Sequence, residues 1–339
     1  MAAGLEGCRI ALVLAGGNAL GAYHAGVYQA LHEAGIEPDW IVGTSAGAMT
    51  GAIVAGNAPD RRVKRLAAFW RPVAPGDLAP DWHDAAETWR RTGEAMTTLL
   101  AGRAGMFAPV GTSLFGRGLP ALYDTAPLEG TLAGLIDGDR LNDGPIRYTA
   151  IAVDLDTGAE AVFDTAERRV GVAHIRASGA LPPAFPPVVI DGTPYVDGGV
   201  AANLPLDPVL AAPGDGPLLC IAVDLLPLAG GRPDTLGTMA ARVQDLVFAS
   251  QSRRTIAHWQ ARYAADAALR DRAVTLACVT YADQQQEVAG KAMDFSPRSA
   301  RRRWDAGRRD GAALIVRLRS GAIATGAPGL HVHHSGETR

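Results

Sequence analysis

The chain has 339 residues, 48% of them hydrophobic and 20% charged, with a net charge of −3. That length supports one large domain with an extension, and the near-neutral charge argues against general binding to nucleic acid. Cys8, Cys220 and Cys278 lack metal-ligand spacing and are expected as buried thiols. With no apolar run near the ~18 residues of a membrane span and no secretory pattern at the N-terminus, the expectation is a cytoplasmic protein with room for peripheral membrane contact.

The first 55 residues alternate between strand and helix. Arg9 to Ala15 reads as a buried strand, Gly16-Gly17-Asn18 as a turn, and Gly21 to Ala34 as a helix stopped by Gly35. Trp40-Ile41-Val42 reads as the second strand and Ser45 to Ala55 as the second helix. Such alternation predicts a parallel sheet covered by helices. From about Phe69 to Tyr123, glycines and prolines interrupt an apolar stretch, which reads as an irregular insert: a lid, a substrate wall or an ordinary packed excursion.

Regular structure resumes after Leu141. Ile146 to Val153 and Ala161 to Phe163 read as strands around Asp156-Thr157-Gly158, and Asp191-Gly192 joins Val188–Ile190 to Tyr195-Val196 in a second hairpin. Leu218 to Leu225 is expected as a buried strand, Thr235 to Arg272 as mostly helical, Val274 to Val279 as a strand, and Ser299 to Arg317 as the last helix. The Gly-rich tail from Ser320, with His331, His333 and His334, is expected to fray.

Three short motifs carry chemistry. In Gly43-Thr44-Ser45-Ala46-Gly47 a serine sits between strand and helix, with glycines two residues to either side. This is the pattern of a nucleophile elbow, where the chain turns sharply and exposes the hydroxyl at a helix N-terminus. The plainer alternative is a helix cap. Gly16-Gly17-Asn18, with Gly21 behind it, presents outward N–H groups that suit a pyrophosphate or a developing oxyanion. Asn18 breaks the dinucleotide register, and no acid ends the second strand, so the oxyanion reading is preferred. The third motif, Asp197-Gly198-Gly199, places an acid at the end of a hairpin strand; alone it is an ordinary turn.

His24, His32, His174 and His258 are the candidates for a histidine triad, but in an α/β-hydrolase the elbow comes later in the domain. Arg298, Arg301, Arg302, Arg303, Arg308 and Arg309 near Trp304 form a basic run that suits anionic headgroups or a solvated helix face.

Taken together, these residues resemble the patatin-like phospholipase family. The resemblance runs in order from Ile10 to about Leu206, through the glycine turn, the elbow, the segment from Ala177-Ser178-Gly179 to Pro187-Val188, and Asp197-Gly198-Gly199-Val200 with Asn203 and Pro205. The residues from Met293 to Ser296 and from Trp304 to Gly307 look like the C-terminal extension of a bacterial subgroup. The resemblance implies a three-layer α/β/α fold with a mainly parallel sheet. It implies a catalytic domain over 8–211, carrying the insert at about 69–123, a strand and helical extension over 212–320, and a flexible tail over 321–339.

It also implies a Ser45–Asp197 dyad, with oxyanion-hole N–H groups from Gly16, Gly17 and Asn18. Gly21, Gly43, Gly47, Gly198 and Gly199 would shape the elbow and turns. The implied substrate is a lipid acyl ester, hydrolysed without metal or cofactor. A carboxylate is a weak base for a hydroxyl, so such a site must raise its basicity by desolvation or lean on the oxyanion hole. Two positions depart from the family pattern: Asn18 stands where a third glycine is usual, and Leu20 replaces a frequent Arg or Lys, removing a charge near the acyl site. The alternative is a catalytically silent lipid- or partner-binding protein, and Asn18 is the feature that favours it.

Overall fold

The computed structural model of the chain describes residues 5, 7–71, 84–110, 120–285 and 287–335. Parts of the expected insert, 72–83 and 111–119, lie outside the described residues, as do the last four residues of the tail.

The alternating N-terminal half folds as β1 (Arg9–Leu14), α1 (Ala22–Glu33), β2 (Trp40–Thr44), α2 (Ala46–Ala55) and α3 (Pro59–Trp70). The insert follows with α4 (Asp84–Ala101) and the short pair β3 (Ala108–Pro109) and β4 (Tyr123–Asp124). Then come α5 (Ala126–Leu135), α6 (Gly138–Asp143), β5 (Arg147–Asp154), β6 (Glu160–Asp164), α7 (Val172–Ser178), β7 (Val188–Ile190) and β8 (Thr193–Asp197). The C-terminal part holds α8 (Asp207–Ala211), β9 (Leu218–Asp224), α9 (Leu236–Ala265), α10 (Ala267–Arg270), β10 (Ala273–Thr280), α11 (Pro297–Arg319) and β11 (Gly329–His334).

Nine described strands form one sheet in the order β11-β10-β9-β1-β2-β5-β8-β7, with β6 also on β5. The strands from β11 to β5 are parallel, and β6, β7 and β8 are antiparallel. Side chains alternate across β1: Leu12 and Leu14 join one core, Ala11 and Val13 the other. The first core takes in α1, α2 and α11; the second takes in Leu210 of α8 and Trp259 and Tyr263 of α9. Helices therefore cover both faces, giving three layers. Burial on both faces is why β1, β2 and β9 read as continuous apolar runs.

One register positions the site. β2 ends with Thr44 beside Ile151 of β5, and β8 ends with Asp197 beside Ala152. Because β6 occupies the other edge of β5 at Ala152 and Val153, β2 and β8 share one edge and meet end to end. The residue after Thr44 is Ser45, so this single strand brings two segments 152 residues apart into contact, as counted from Ser45 to Asp197.

Two expectations are corrected. The insert contains an 18-residue helix, α4, rather than only irregular chain. Asp84 to Ala101 has no proline and is rich in helix formers; its single Gly93 costs about 1 kcal/mol, too little to break a helix anchored by the buried Arg91. The tail does not simply fray: Gly329–His334 pairs in parallel with β10, and Leu330 and Val332 pack against the second core. The open edge of β10 supplies the hydrogen bonds that composition alone did not anticipate.

Helices α1 and α11 touch backbone to backbone. A Cβ on Gly26 would lie 1.9 Å from Trp304 O, and one on Gly307 would lie 2.1 Å from Tyr23 O. The first helix after the glycine turn is thereby locked to the last helix of the chain.

Candidate active site

The glycine turn leaves β1 at the carboxyl edge of the sheet. Ala15 N–H continues the ladder to Val223 O at 3.1 Å. Gly16 N–H then donates to Asn203 O at 3.0 Å, and Asn203 Nδ2 donates back to Gly16 O at 3.4 Å. This corrects the expectation for Gly16: its N–H is already engaged and is not an oxyanion donor. Its lack of a side chain still matters, since a Cβ there would fall 2.5 Å from Asn203 Oδ1 and 3.3 Å from Ser45 Cβ. Gly17 and Asn18 line the cavity described below, and among the described residues neither N–H has a partner. Asn18 adopts φ 50, a left-handed conformation that asparagine tolerates better than most residues. Its Nδ2 contacts the sulfur of Met293, which lines the same cavity, at 3.2 Å.

Ser45 lies at the turn between β2 and α2 with φ 55 and ψ −119. A non-glycine residue there is strained, and its neighbours hold it. Ser45 N–H donates to Ser178 Oγ at 3.0 Å, Met49 N–H donates to Ser45 O at 3.1 Å, and Thr44 Oγ1 donates to Ala202 O at 3.0 Å. The flanking glycines permit the approach: a Cβ on Gly43 would meet Ala48 N at 2.5 Å, and one on Gly47 would meet Leu14 O at 2.1 Å.

Asp197 is buried, and its Oδ1 accepts the Gly199 N–H at 2.7 Å. Burial pushes its carboxyl up to about 6, against the opposing pull of the Ser45 side chain and of the Gly199 N–H. Gly198 and Gly199 let the chain pass close by: a Cβ on Gly198 would sit 2.4 Å from Ile151 O, and one on Gly199 3.1 Å from Asn203 Oδ1. Gly21 supports the other side, where a Cβ would strike the Trp70 ring at 2.3 Å.

Ser45, Asp197, Gly16, Gly17 and Asn18 share one cavity of about 240 Å³. Its walls are largely apolar, with Met49, Trp70, Phe107, Leu128, Phe185 and Phe248 among them, and Arg176 is the described cation that lines it. The guanidinium of Arg176 pairs with Glu129 at 2.6 Å. Leu20 is fully buried in the core and is not among the residues that line the cavity.

No histidine lines this cavity among the described residues. His24 is buried in α1, and burial pushes its ring down to about 3. His174 Nδ1 accepts the Gly171 N–H at 3.0 Å, and His258 is exposed on α9. Among the described residues no group of three His, Cys, Asp or Glu side chains is placed to hold a metal ion, and no helix is long and apolar enough to cross a membrane. The basic run is not one free face: Arg303 is fully buried and Arg308 pairs with Glu33 at 3.0 Å.

Sequence reasoning did not assign site roles to Ser178, Asn203 or Arg303. Ser178 and Asn203 lie inside the quoted motifs, and their polarity beside so many small and apolar residues was the available signal.

The chain is similar to several other proteins in sequence and in fold. Patatin-like phospholipase domain-containing protein 6 of Homo sapiens is 30% identical over 222 residues, covering 65% of this chain and 14% of that protein. An uncharacterized NTE family protein of Mycobacterium tuberculosis is 30% identical over 230 residues, covering 64% of this chain and 49% of that protein. The chain thus spans half or less of these relatives' lengths. Among solved structures, VipD from Legionella pneumophila aligns at a TM-score of 0.44 with 14% identity, covering 92% of this chain and 67% of that one. A sequence profile described as patatin-like phospholipase matches residues 12–210, from β1 to α8 and through every motif of the cavity's polar end. With more than half its length inside that match, the chain belongs to the patatin-like phospholipase family.

Proposed function

We propose that the chain hydrolyses acyl esters of lipids with Ser45 as nucleophile and Asp197 as its general base. Family membership supports lipid acyl hydrolysis in general. The observation that carries the finer reading is the pairing of a buried Asp197, its carboxyl near 6, with the strained Ser45 at the polar end of an apolar cavity. Desolvation makes the carboxylate a better base while leaving it ionised near neutral pH.

In the first step Asp197 takes the hydroxyl proton as Ser45 Oγ attacks the ester carbonyl. The Gly17 and Asn18 N–H groups receive the charge that develops on the carbonyl oxygen. The alcohol leaves with the proton, and the acyl group stays on Ser45. Asp197 then takes a proton from water as it attacks the acyl carbon, and returns that proton to Ser45 Oγ as the acyl bond breaks and the fatty acid leaves. The apolar walls suit an acyl chain. Exposed Met96 and Leu100 on α4, with exposed Met239, Val243 and Val247 on α9, mark where a lipid surface would meet the protein.

A fluorophosphonate probe and a panel of phospholipid, lysophospholipid and acylglycerol substrates test this reading. Wild type should label and turn over, while Ser45→Ala should lose labelling and at least about a thousandfold in kcat. A folded wild type that does not label, or a Ser45→Ala protein that still labels, overturns it.

A further inference from the structure

The turn that presents Gly17 and Asn18 is gripped from behind by an arginine of α11. Arg303 is fully buried. Its Nη1 donates to Ala19 O at 3.1 Å and to Asp294 O at 2.7 Å. Its Nη2 donates to Lys291 O at 3.0 Å and to Glu287 Oε2 at 2.7 Å, and its Nε donates to Glu287 Oε1 at 2.8 Å. A guanidinium has five N–H groups, and all five are used here. Four hold Arg303 in its own segment; the fifth reaches the candidate catalytic turn.

That fifth contact travels through two peptide planes. In a trans peptide the C=O and the N–H point in opposite directions. Fixing Ala19 O therefore fixes the Leu20 N–H, which donates to Gly17 O at 3.1 Å. Gly17 O belongs to the same peptide plane as the Asn18 N–H, so the direction of that N–H is fixed in turn. Hydrogen bonds in series also polarise one another, and a guanidinium at the far end draws electron density away from the donor.

We propose that Arg303 is a positioning residue for the oxyanion hole, setting the aim and donor strength of the Asn18 N–H through Ala19 and Leu20. This rests on the reading of Ser45, Gly17 and Asn18 given above. Arg303 lies beyond residue 210, where the family match ends, so the C-terminal region takes part in the chemistry of the matched domain.

The surroundings explain how a guanidinium is kept there. Arg91 of α4 shares its two carboxylate partners, contacting Glu287 Oε2 at 3.0 Å and Asp294 Oδ2 at 3.2 Å. Two guanidiniums thus face two buried carboxylates, and the charges balance. Burial alone would raise the Glu287 carboxyl, but Arg303 and Arg91 outweigh it and hold it at about 2. The positive charge behind the turn is fixed over the whole working pH range.

The test compares wild type, Arg303→Lys, Arg303→Gln and Leu314→Ala, all as the full chain, with a soluble short-chain ester. Leu314 is buried on the same helix and serves as the control for general loosening. Active enzyme is counted by saturating fluorophosphonate labelling, and a trifluoromethyl ketone, whose oxyanion occupies the hole, reports the hole's strength. Both Arg303 variants should lose about 10- to 100-fold in kcat per labelled site, with KM nearly unchanged and a parallel rise in the inhibitor's Ki. Leu314→Ala should lower the melting temperature but keep kcat per labelled site. Folded Arg303 variants with wild-type kcat and Ki overturn the proposal, as does an equal kcat loss in Leu314→Ala. If Arg303→Gln does not fold, Arg303→Lys carries the same comparison. Turnover that survives in Ser45→Ala would instead sink the reading of the site itself.

Discussion

The backbone N–H of Ser45 donates to the hydroxyl of Ser178 at 3.0 Å, across 133 residues of sequence. Ser178 ends α7 and is fully buried, so no solvent can replace it. The elbow residue is thus held by a side chain from a different βα unit. In Ser178→Ala that N–H loses its acceptor, at a cost of about 1 kcal/mol. Thermal unfolding should show the loss, and ester turnover should fall with it because the elbow relaxes. A variant with wild-type melting and turnover would refute the role given to this bond.

The buried acid predicts an acid limb in activity. In the proposed mechanism turnover needs ionised Asp197, so kcat/KM should rise with an apparent pKa of about 6. Stability should run the other way. The folded value of about 6 exceeds the 3.8 of an ordinary aspartate, so the contribution of Asp197 is fully present below about pH 3.8 and lost as pH rises through 6. Asp197→Asn should therefore be nearly inactive yet more stable than wild type at pH 7 to 8, by up to about 3 kcal/mol. Melting curves at pH 4 and pH 8 check this; equal differences at the two values would count against the burial argument.

Two glycines should fail in different ways. A Cβ at Gly47 would meet the main-chain oxygen of Leu14 at 2.1 Å, and neither strand nor helix can yield. Gly47→Ala should give little soluble folded protein. A Cβ at Gly16 would meet the side-chain oxygen of Asn203 at 2.5 Å, which can move. Gly16→Ala should fold, with turnover down because Asn203 and Ser45 are displaced. Soluble yield and circular dichroism, beside turnover, separate the two outcomes.

Much of this was legible in sequence because it is local. The elbow needs only an apolar run, a serine and spaced glycines, and Asp197 follows from a hairpin announced by Asp191-Gly192. The sheet order was legible as a class, since strand–helix alternation implies parallel pairing. What escaped depends on distant partners. Gly16 looked like a donor until Asn203, 187 residues on, was found to take its N–H. Arg303 looked like one charge in a surface run, yet Glu287, Asp294 and Ala19 enclose it. The strand at Gly329–His334 looked like a polar tail because its stability comes from β10, not from its own residues.

Asn18 should tolerate glycine and resist branching. Its φ of 50 suits glycine or asparagine, and the Nδ2 contact to Met293 sulfur is a weak one. Asn18→Gly should keep turnover within about threefold, since the proposed hole uses the backbone N–H. Asn18→Val should lose stability by about 1–3 kcal/mol through backbone strain, and turnover with it. A sharp drop in Asn18→Gly, with melting unchanged, would mean that the side chain itself contributes to the reaction.

The place of β1 in the sheet has a bearing on how this protein can be divided. The family match ends at residue 210, but β1 pairs along its full length with β9, Leu218–Asp224, on the far side of that limit. A chain cut between the two would leave the strand that carries the glycine turn as an open edge, its peptide groups free to recruit any passing strand. The segment that defines kinship is therefore smaller than the segment that can survive alone. Fusion, domain exchange or minimisation of this protein has to carry β9, β10 and α11 along with the motifs by which it is recognised.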